Sequence, residues 1–203
     1  MKIICIGRNY VEHIKELNNE KPDEPVIFTK PDTAILRKDT PFFYPDISQD
    51  IHYEVELVLK IKKIGKNIHE RFAGKYYEEI GLGIDFTARD LQQKAKNKGL
   101  PWALAKGFDG SAPVSDFIPV SEFNNLNDID FSLKVDGEIR QQGNSGLMLF
   151  TFDQIIAYVS RFITLKQGDL LFTGTPKGVG PIQIGNRLEG FIGEEKMLDV
   201  AIK

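Results

Sequence analysis

What the sequence has little of narrows the question first. It holds one cysteine, Cys5, in 203 residues, so no disulfide forms within the chain, and a reducing, cytoplasmic setting is expected. Cys5 sits in an apolar strand pattern, where a thiol is a small hydrophobe rather than a nucleophile. There is no basic block or basic, aromatic-interleaved stripe, and the net charge of −3 supplies no field for nucleic acid. No apolar run approaches the ~20 residues of a membrane helix. Residues 1–7 read as a strand entering the fold, not as a signal peptide. The glycines at 81 and 83 lack the third member of a dinucleotide fingerprint. The loop at 173–181 lacks Gly-Lys-Ser/Thr, and its prolines remove backbone donors that a phosphate needs. With 41% hydrophobic and 27% charged residues, what is left is an ordinary globular chain, expected to be one domain over 1–203.

What is present centres on residues 51–60, Ile-His-Tyr-Glu-Val-Glu-Leu-Val-Leu-Lys. The stretch alternates as a strand does, so Glu54 and Glu56 project the same way, roughly 7 Å apart. On a solvated face that pair is unremarked surface. In a pocket, two carboxylates at that distance repel by roughly 2 kcal/mol at an effective dielectric near 20, before desolvation. A hard divalent cation relieves this.

Along the chain, strands are expected at 2–6, 26–29, 80–86, 170–172, 187–192 and 196–202, with a weak helix within 62–79. The clearest hairpin runs from 131 to 142 about Asp136-Gly137. Two capping boxes are expected: Thr87 with Asp90, opening a helix over 88–98 that ends at Gly99, and Thr151 with Gln154, opening a helix with its core face at helical spacing. The segment 8–17 has few apolar positions, so it should pack weakly and move, and His13 and Glu16 at i, i+3 share one face. His52 and His69 read as structural or surface singletons. Many short strands with two convincing helices give an α+β, sheet-rich fold class.

Several short motifs occur in a fixed order: Gly7-Arg8-Asn9-Tyr10 with His13, Phe28-Thr29-Lys30-Pro31, His52-Tyr53-Glu54-Val55-Glu56-Leu57, Asp85-Phe86-Thr87-Ala88-Arg89-Asp90, Leu104-Ala105-Lys106, and Thr173-Gly174-Thr175-Pro176-Lys177-Gly178. Together they resemble the fumarylacetoacetate hydrolase family, in its short acylpyruvase-like branch, over almost the whole chain. The resemblance implies a β-rich roll with peripheral helices, a homodimer, and Mg²⁺ or Mn²⁺ in the site. It places metal carboxylates at Glu54, Glu56 and Asp85, and a catalytic dyad at His13 and Glu16 on a lid over about 10–22. It also places a catalytic lysine at Lys106 and substrate contacts at Arg8, Tyr10, Arg89, Gln92 and Thr175. Lys106 is followed by Gly107-Phe108-Asp109 where relatives often carry Ser-Phe-Thr.

The implied chemistry is cleavage beside a chelated 2-oxo acid. A metal Lewis acid stabilises the departing pyruvate enolate, and a histidine with an ordinary pKa near 6.5 activates water. Acylpyruvate hydrolysis is the leading expectation. Oxaloacetate decarboxylation, isomerisation of 2-hydroxyhepta-2,4-diene-1,7-dioate, and a silent binder of metal and 2-oxo acid are the alternatives.

Overall fold

A computed structural model of the chain describes residues 1–17, 20–38 and 40–203. Asn18 and Asn19, inside the expected lid, lie outside the described residues. Strand β1 (Ile3–Gly7) leads to helix α1 (Val11–Glu16), then β2 (Val26–Lys30), β3 (Ile35–Leu36), β4 (Ile51–Tyr53), β5 (Val55–Ile61), β6 (Tyr77–Ile84) and β7 (Thr87–Ala88). Helices α2 (Arg89–Asn97) and α3 (Ala103–Lys106) precede β8 (Ala112–Pro119), β9 (Asp130–Val135) and β10 (Glu138–Asn144). Helix α4 (Phe152–Phe162), β11 (Leu170–Phe172), β12 (Gly180–Pro181), β13 (Arg187–Ile192) and β14 (Glu195–Ala201) complete the chain.

Among the described residues these strands make a seven-stranded sheet in the order β2-β1-β11-β5-β6-β8-β3, a four-stranded sheet β10-β9-β13-β14, and a three-stranded sheet β12-β4-β7. This is the α+β, sheet-rich class the sequence pattern predicts. The core lies between the two larger sheets. Leu57, Leu59, Ile80 and Leu82 of the first meet Leu133, Leu188 and Leu198 of the second. Each such side chain contributes about 1.5–3 kcal/mol by leaving water. Helix α4 adds Phe152, Ile155, Ile156 and Val159 to that core with Ile163 packed against it, but Phe162, expected on the same face, is 59% exposed.

The stretch 51–60 is not one strand. It breaks at Glu54, where the chain leaves the three-stranded sheet and enters the seven-stranded one. Its neighbour breaks at the same level: β5 pairs with β6 through Val55 and Ile84, and β4 pairs with β7 through His52 and Thr87. Glu54 and Asp85 thus face each other at one corner, joined by an Asp85 N–H to Glu54 carbonyl bond of 2.8 Å. Two adjacent antiparallel strands bent together bring both carboxylates to one point.

Three local expectations are corrected. Thr87 does not cap α2, because Thr87 and Ala88 are paired as β7. Ala88 takes the cap position without a side-chain bond. Asp90 instead accepts from the Ser48 hydroxyl and the Gln49 N–H. Strand β6 begins earlier than 80, and the weak helix before it is a short 3₁₀ segment over Glu70–Lys75. Segment α1 is better packed than its composition suggests, with His13 and Ile14 both buried. Other signals hold. Gly99 (φ 63°) closes α2, with the Leu100 N–H on the Ala95 carbonyl at 2.9 Å. Asp136 and Gly137, at φ 53° and 83°, form the turn between β9 and β10. Cys5 is buried, and burial pushes its thiol up.

The Thr151–Gln154 box is formed in both directions. Thr151→Ala should therefore lower stability by about 1 kcal/mol in urea unfolding, and an unchanged midpoint would show that the box contributes nothing.

Candidate active site

The corner holds three buried acids. Asp85, Glu56 and Glu54 expose 0%, 2% and 5% of their surface, and carboxylate oxygens from all three lie within 4.8 Å of one another. Charges in such a place need compensation, since desolvation otherwise costs several kcal/mol per ion. Two buried lysines supply it. Lys106, on the one-turn helix α3, donates from Nζ to Glu54 Oε2 (2.8 Å), Asp85 Oδ2 (2.6 Å) and Thr87 Oγ1 (2.6 Å), using all three ammonium protons. Burial pulls this ammonium down, but Asp85 and Glu54 more than offset it and leave it above the ordinary lysine value.

Lys30, at the end of β2, reaches the corner from the other side. Its Nζ lies 2.8 Å from Asp85 Oδ1, off hydrogen-bond alignment. Its three protons have four other acceptors within reach: the Phe86 carbonyl (3.2 Å), the Ser111 carbonyl and hydroxyl (both 3.0 Å) and the Lys106 carbonyl. Arg89 sets NH2 on Glu54 Oε1 at 2.5 Å and NH1 on Gln92 Oε1 at 2.7 Å. Burial alone would raise the Glu54 carboxyl, yet Lys106 and Arg89 outweigh it and hold that group well below the usual range.

Glu56 stands apart. Its Oε2 accepts the Gly174 N–H at 2.7 Å, and no ammonium or guanidinium among the described residues pairs with it. Burial first, and then the Asp85 charge, push it well above the ordinary carboxylate value. A divalent cation shared by the three acids removes that imbalance. Oxygen donors of this kind suit Mg²⁺ or Mn²⁺, so the residues present fit such an ion.

Over the corner sits α1. His13 Nδ1 is 3.3 Å from Glu16 Oε2, and Glu16 accepts the Gly178 N–H at 3.0 and 3.2 Å on its two oxygens. Gly178 has φ 95°, and a Cβ there would come within 2.1 Å of the Arg140 carbonyl, so only glycine offers its N–H at this place. A carboxylate only accepts, so it fixes the proton on Nδ1 and leaves Nε2 bare. Burial lowers the His13 pKa, against the pull of Glu54 and Glu16, which keeps the ring neutral near pH 7. The triad, His13, Lys106 and Thr175 all line one cavity of about 30 Å³.

Arg8, Arg89 and Gln92 line it too. Arg8 adopts φ 61°, a left-handed backbone that costs a non-glycine residue roughly 1–2 kcal/mol. Tyr10 is not among the residues that line this cavity; it is buried beside Phe131 with ring centroids 6.3 Å apart, and burial, then the Glu56 charge, push its phenol up. Residues without a sequence signal also appear. Lys96 lines the cavity beside Trp102, its Nζ 5.8 Å from the ring centre. Lys30 and Thr87 carry no signal of their own outside their motifs, and Gln141 carries none. Their reach across the fold exists only once β2, β7 and β10 are in register.

Comparison with known proteins follows from this geometry. A family model described as fumarylacetoacetate (FAA) hydrolase C-terminal matches residues 2–201. The chain belongs to the fumarylacetoacetate hydrolase family. Within this family it is 45% identical over 190 residues to the mouse protein named oxaloacetate tautomerase FAHD1, mitochondrial, covering 94% of this chain and 86% of that one. It is 45% identical over 185 residues to the Dictyostelium discoideum protein named oxaloacetate decarboxylase, mitochondrial, covering 91% and 85%. The crystal structure of fumarylpyruvate hydrolase from Pseudomonas aeruginosa in complex with Mn²⁺ and pyruvate superposes with a TM-score of 0.94 at 36% identity, covering 100% of this chain and 89% of the other.

Lys30→Met leaves Asp85 short of one buried partner. Urea unfolding of the metal-free protein should then show a loss of about 3–5 kcal/mol. A loss below about 1 kcal/mol, the scale of an exposed pair, would mean that Asp85 does not depend on Lys30.

Proposed function

We propose that this chain is a divalent-cation-dependent oxaloacetate tautomerase, interconverting the keto and enol forms of that 2-oxo diacid. The observation that carries the reading is the charge of the cavity wall. Lys96 lines it with Arg8 and with Arg89, which is also bound to Glu54. Burial first, then the nearby Arg89 and Arg8 charges, lower the Lys96 pKa, and Lys96 has no carboxylate partner among the described residues. An unpaired, half-buried ammonium beside two guanidiniums suits a second carboxylate on the substrate. A neutral acyl end, as in acetylpyruvate, would leave that wall unmatched. The names of the curated relatives point the same way.

Glu54, Glu56 and Asp85 would hold the cation, which supplies Lewis-acid polarisation of the substrate keto group when bound. The chain's own residues do the rest. Neutral His13 takes a C3 proton on Nε2 while Glu16 holds the ring, and the same nitrogen returns the proton to the keto oxygen to give the enol. Lys106 keeps Glu54 and Asp85 apart as acceptors and balances the negative charge that grows during proton removal. Closure of α1 and its Glu16–Gly178 contact exclude water from the carbanionic carbon.

Decarboxylation, the activity in the name of the Dictyostelium relative, uses the same enolate. It needs the C4 carboxylate to leave as CO₂, and ion pairs to Lys96 and the arginines stabilise that carboxylate in the ground state. Tautomerisation is the better match. Hydrolysis of acylpyruvates, the leading sequence expectation, ranks third, supported by the name of the Pseudomonas relative. We further propose a homodimer in a reducing compartment, to be checked by sedimentation and by thiol titration of Cys5.

Enol oxaloacetate followed by ultraviolet absorbance with Mg²⁺ or Mn²⁺ should ketonise faster with the protein than without it, and EDTA should remove the effect. Acetylpyruvate cleaved more efficiently than oxaloacetate is converted would sink the reading. His13→Ala should lower kcat by about 10²–10⁴. Lys96→Met should raise KM for oxaloacetate by roughly tenfold, the scale of one charged hydrogen bond, with little change for acetylpyruvate. Equal losses on both substrates would remove Lys96 from distal-carboxylate binding.

A further inference from the structure

Gln141 is a polar side chain only 1% exposed, far in sequence from every residue of the site. Its burial is built in. The pairing of β9 with β10 shifts register between Ile139 and Gln141, a bulge that leaves Ile139 54% exposed and turns Gln141 inward. There the amide makes three bonds. Oε1 accepts the Val55 N–H at 2.9 Å, and Nε2 donates to the Pro176 carbonyl and to Thr175 Oγ1, both at 2.9 Å. An N–H only donates and a carbonyl only accepts, so these two backbone groups fix which end of the amide is nitrogen. The remaining Nε2 proton therefore goes to the Thr175 hydroxyl, which must accept it.

That leaves the hydroxyl's own proton without a protein acceptor. Gln141 is the one hydrogen-bond partner of Thr175 Oγ1 among the described residues. Thr175 is 3% exposed and lines the cavity, so the proton is free for a ligand there. We propose that Gln141 is a positioning residue that commits the Thr175 hydroxyl to donate to an acceptor-only oxygen of the bound 2-oxo acid. The same amide also accepts the Val55 N–H, between Glu54 and Glu56, a contact that Mn²⁺ affinity reads separately. The inference rests on the proposed binding of a 2-oxo acid at the triad, but not on which reaction follows.

The test uses oxalate, a planar mimic of the pyruvate enolate, titrated calorimetrically into Mn²⁺-loaded protein, with Mn²⁺ affinity and the urea midpoint measured beside it. Thr175→Val should weaken oxalate by about tenfold or more, as loss of a bond to a charged acceptor does, and leave Mn²⁺ affinity unchanged. Thr175→Ser should restore binding. Gln141→Glu replaces the donor with an acceptor, draws the hydroxyl proton back, and should weaken oxalate alone but by no more than about twofold in the Thr175→Val background. Gln141→Met, uncharged and close in size, should show the same dependence on Thr175.

Oxalate binding to Thr175→Val within about twofold of the parent overturns the proposal. So does a Gln141 effect undiminished in the Thr175→Val background, since Gln141 would then act through Val55 and the acids. If the parent protein does not bind oxalate, this proposal and the reading beneath it both fall. If the pattern holds but oxaloacetate is not converted, only the reaction is wrong.

Discussion

The corner at which two neighbouring strands bend together is the constraint from which the rest follows. It places Glu54 and Asp85 opposite each other and Glu56 one step along the same strand, all out of water. Three carboxylates there are tolerable only with cations built in, and Lys106 and Lys30 arrive from α3 and β2 to supply them. The desolvation of such a cluster is repaid only when every proton and lone pair is used. That condition is met around Lys106, but Asp85 Oδ1 lacks an aligned donor and Glu56 lacks a cationic partner among the described residues. Carboxylate oxygens left in that state fit a divalent cation.

A second constraint joins the moving parts. The loop over 173–181 gives the Gly174 N–H to Glu56, the Thr175 hydroxyl to the cavity, the Pro176 carbonyl to Gln141, and the Gly178 N–H to Glu16. Helix α1 thus contacts the same loop as Glu56, and it is held by the burial of His13 and Ile14. Charge is uneven around the cavity. Lys30, Lys106 and Arg89 pair with Asp85 and Glu54, Glu56 has no cationic partner among the described residues, and Lys96 lines the same cavity without a carboxylate partner.

Gln141 and Lys96 show that this site extends past its three acids. One is bonded to the Thr175 hydroxyl and the other lines the same cavity as the acids. Neither belongs to the motifs at Glu54, Asp85 or His13. Both are polar groups held in place by the fold, the condition under which such groups have their largest effect.

Much of the fold was legible in the sequence because it is local. The alternation of strands, the Asp136-Gly137 turn, the Gly99 stop and the Thr151 box depend on neighbours within a few residues, and all are found. The capping box at Thr87 was misread because β7 pairs with β4 and withdraws Thr87 from the helix, a competition no local pattern reports. Glu54, Glu56, Asp85, His13 and Lys106 could be named as candidates from their residue types, order and family resemblance. The sequence by itself determined the chemistry available: oxygen donors, one base, buried-type strands. Only the tertiary structure decided that Lys30 and Lys106 share the acids, that Lys96 lines the cavity and that Gln141 reaches Thr175, because burial and hydrogen-bond direction are set by strand register and by contacts between residues far apart in the chain.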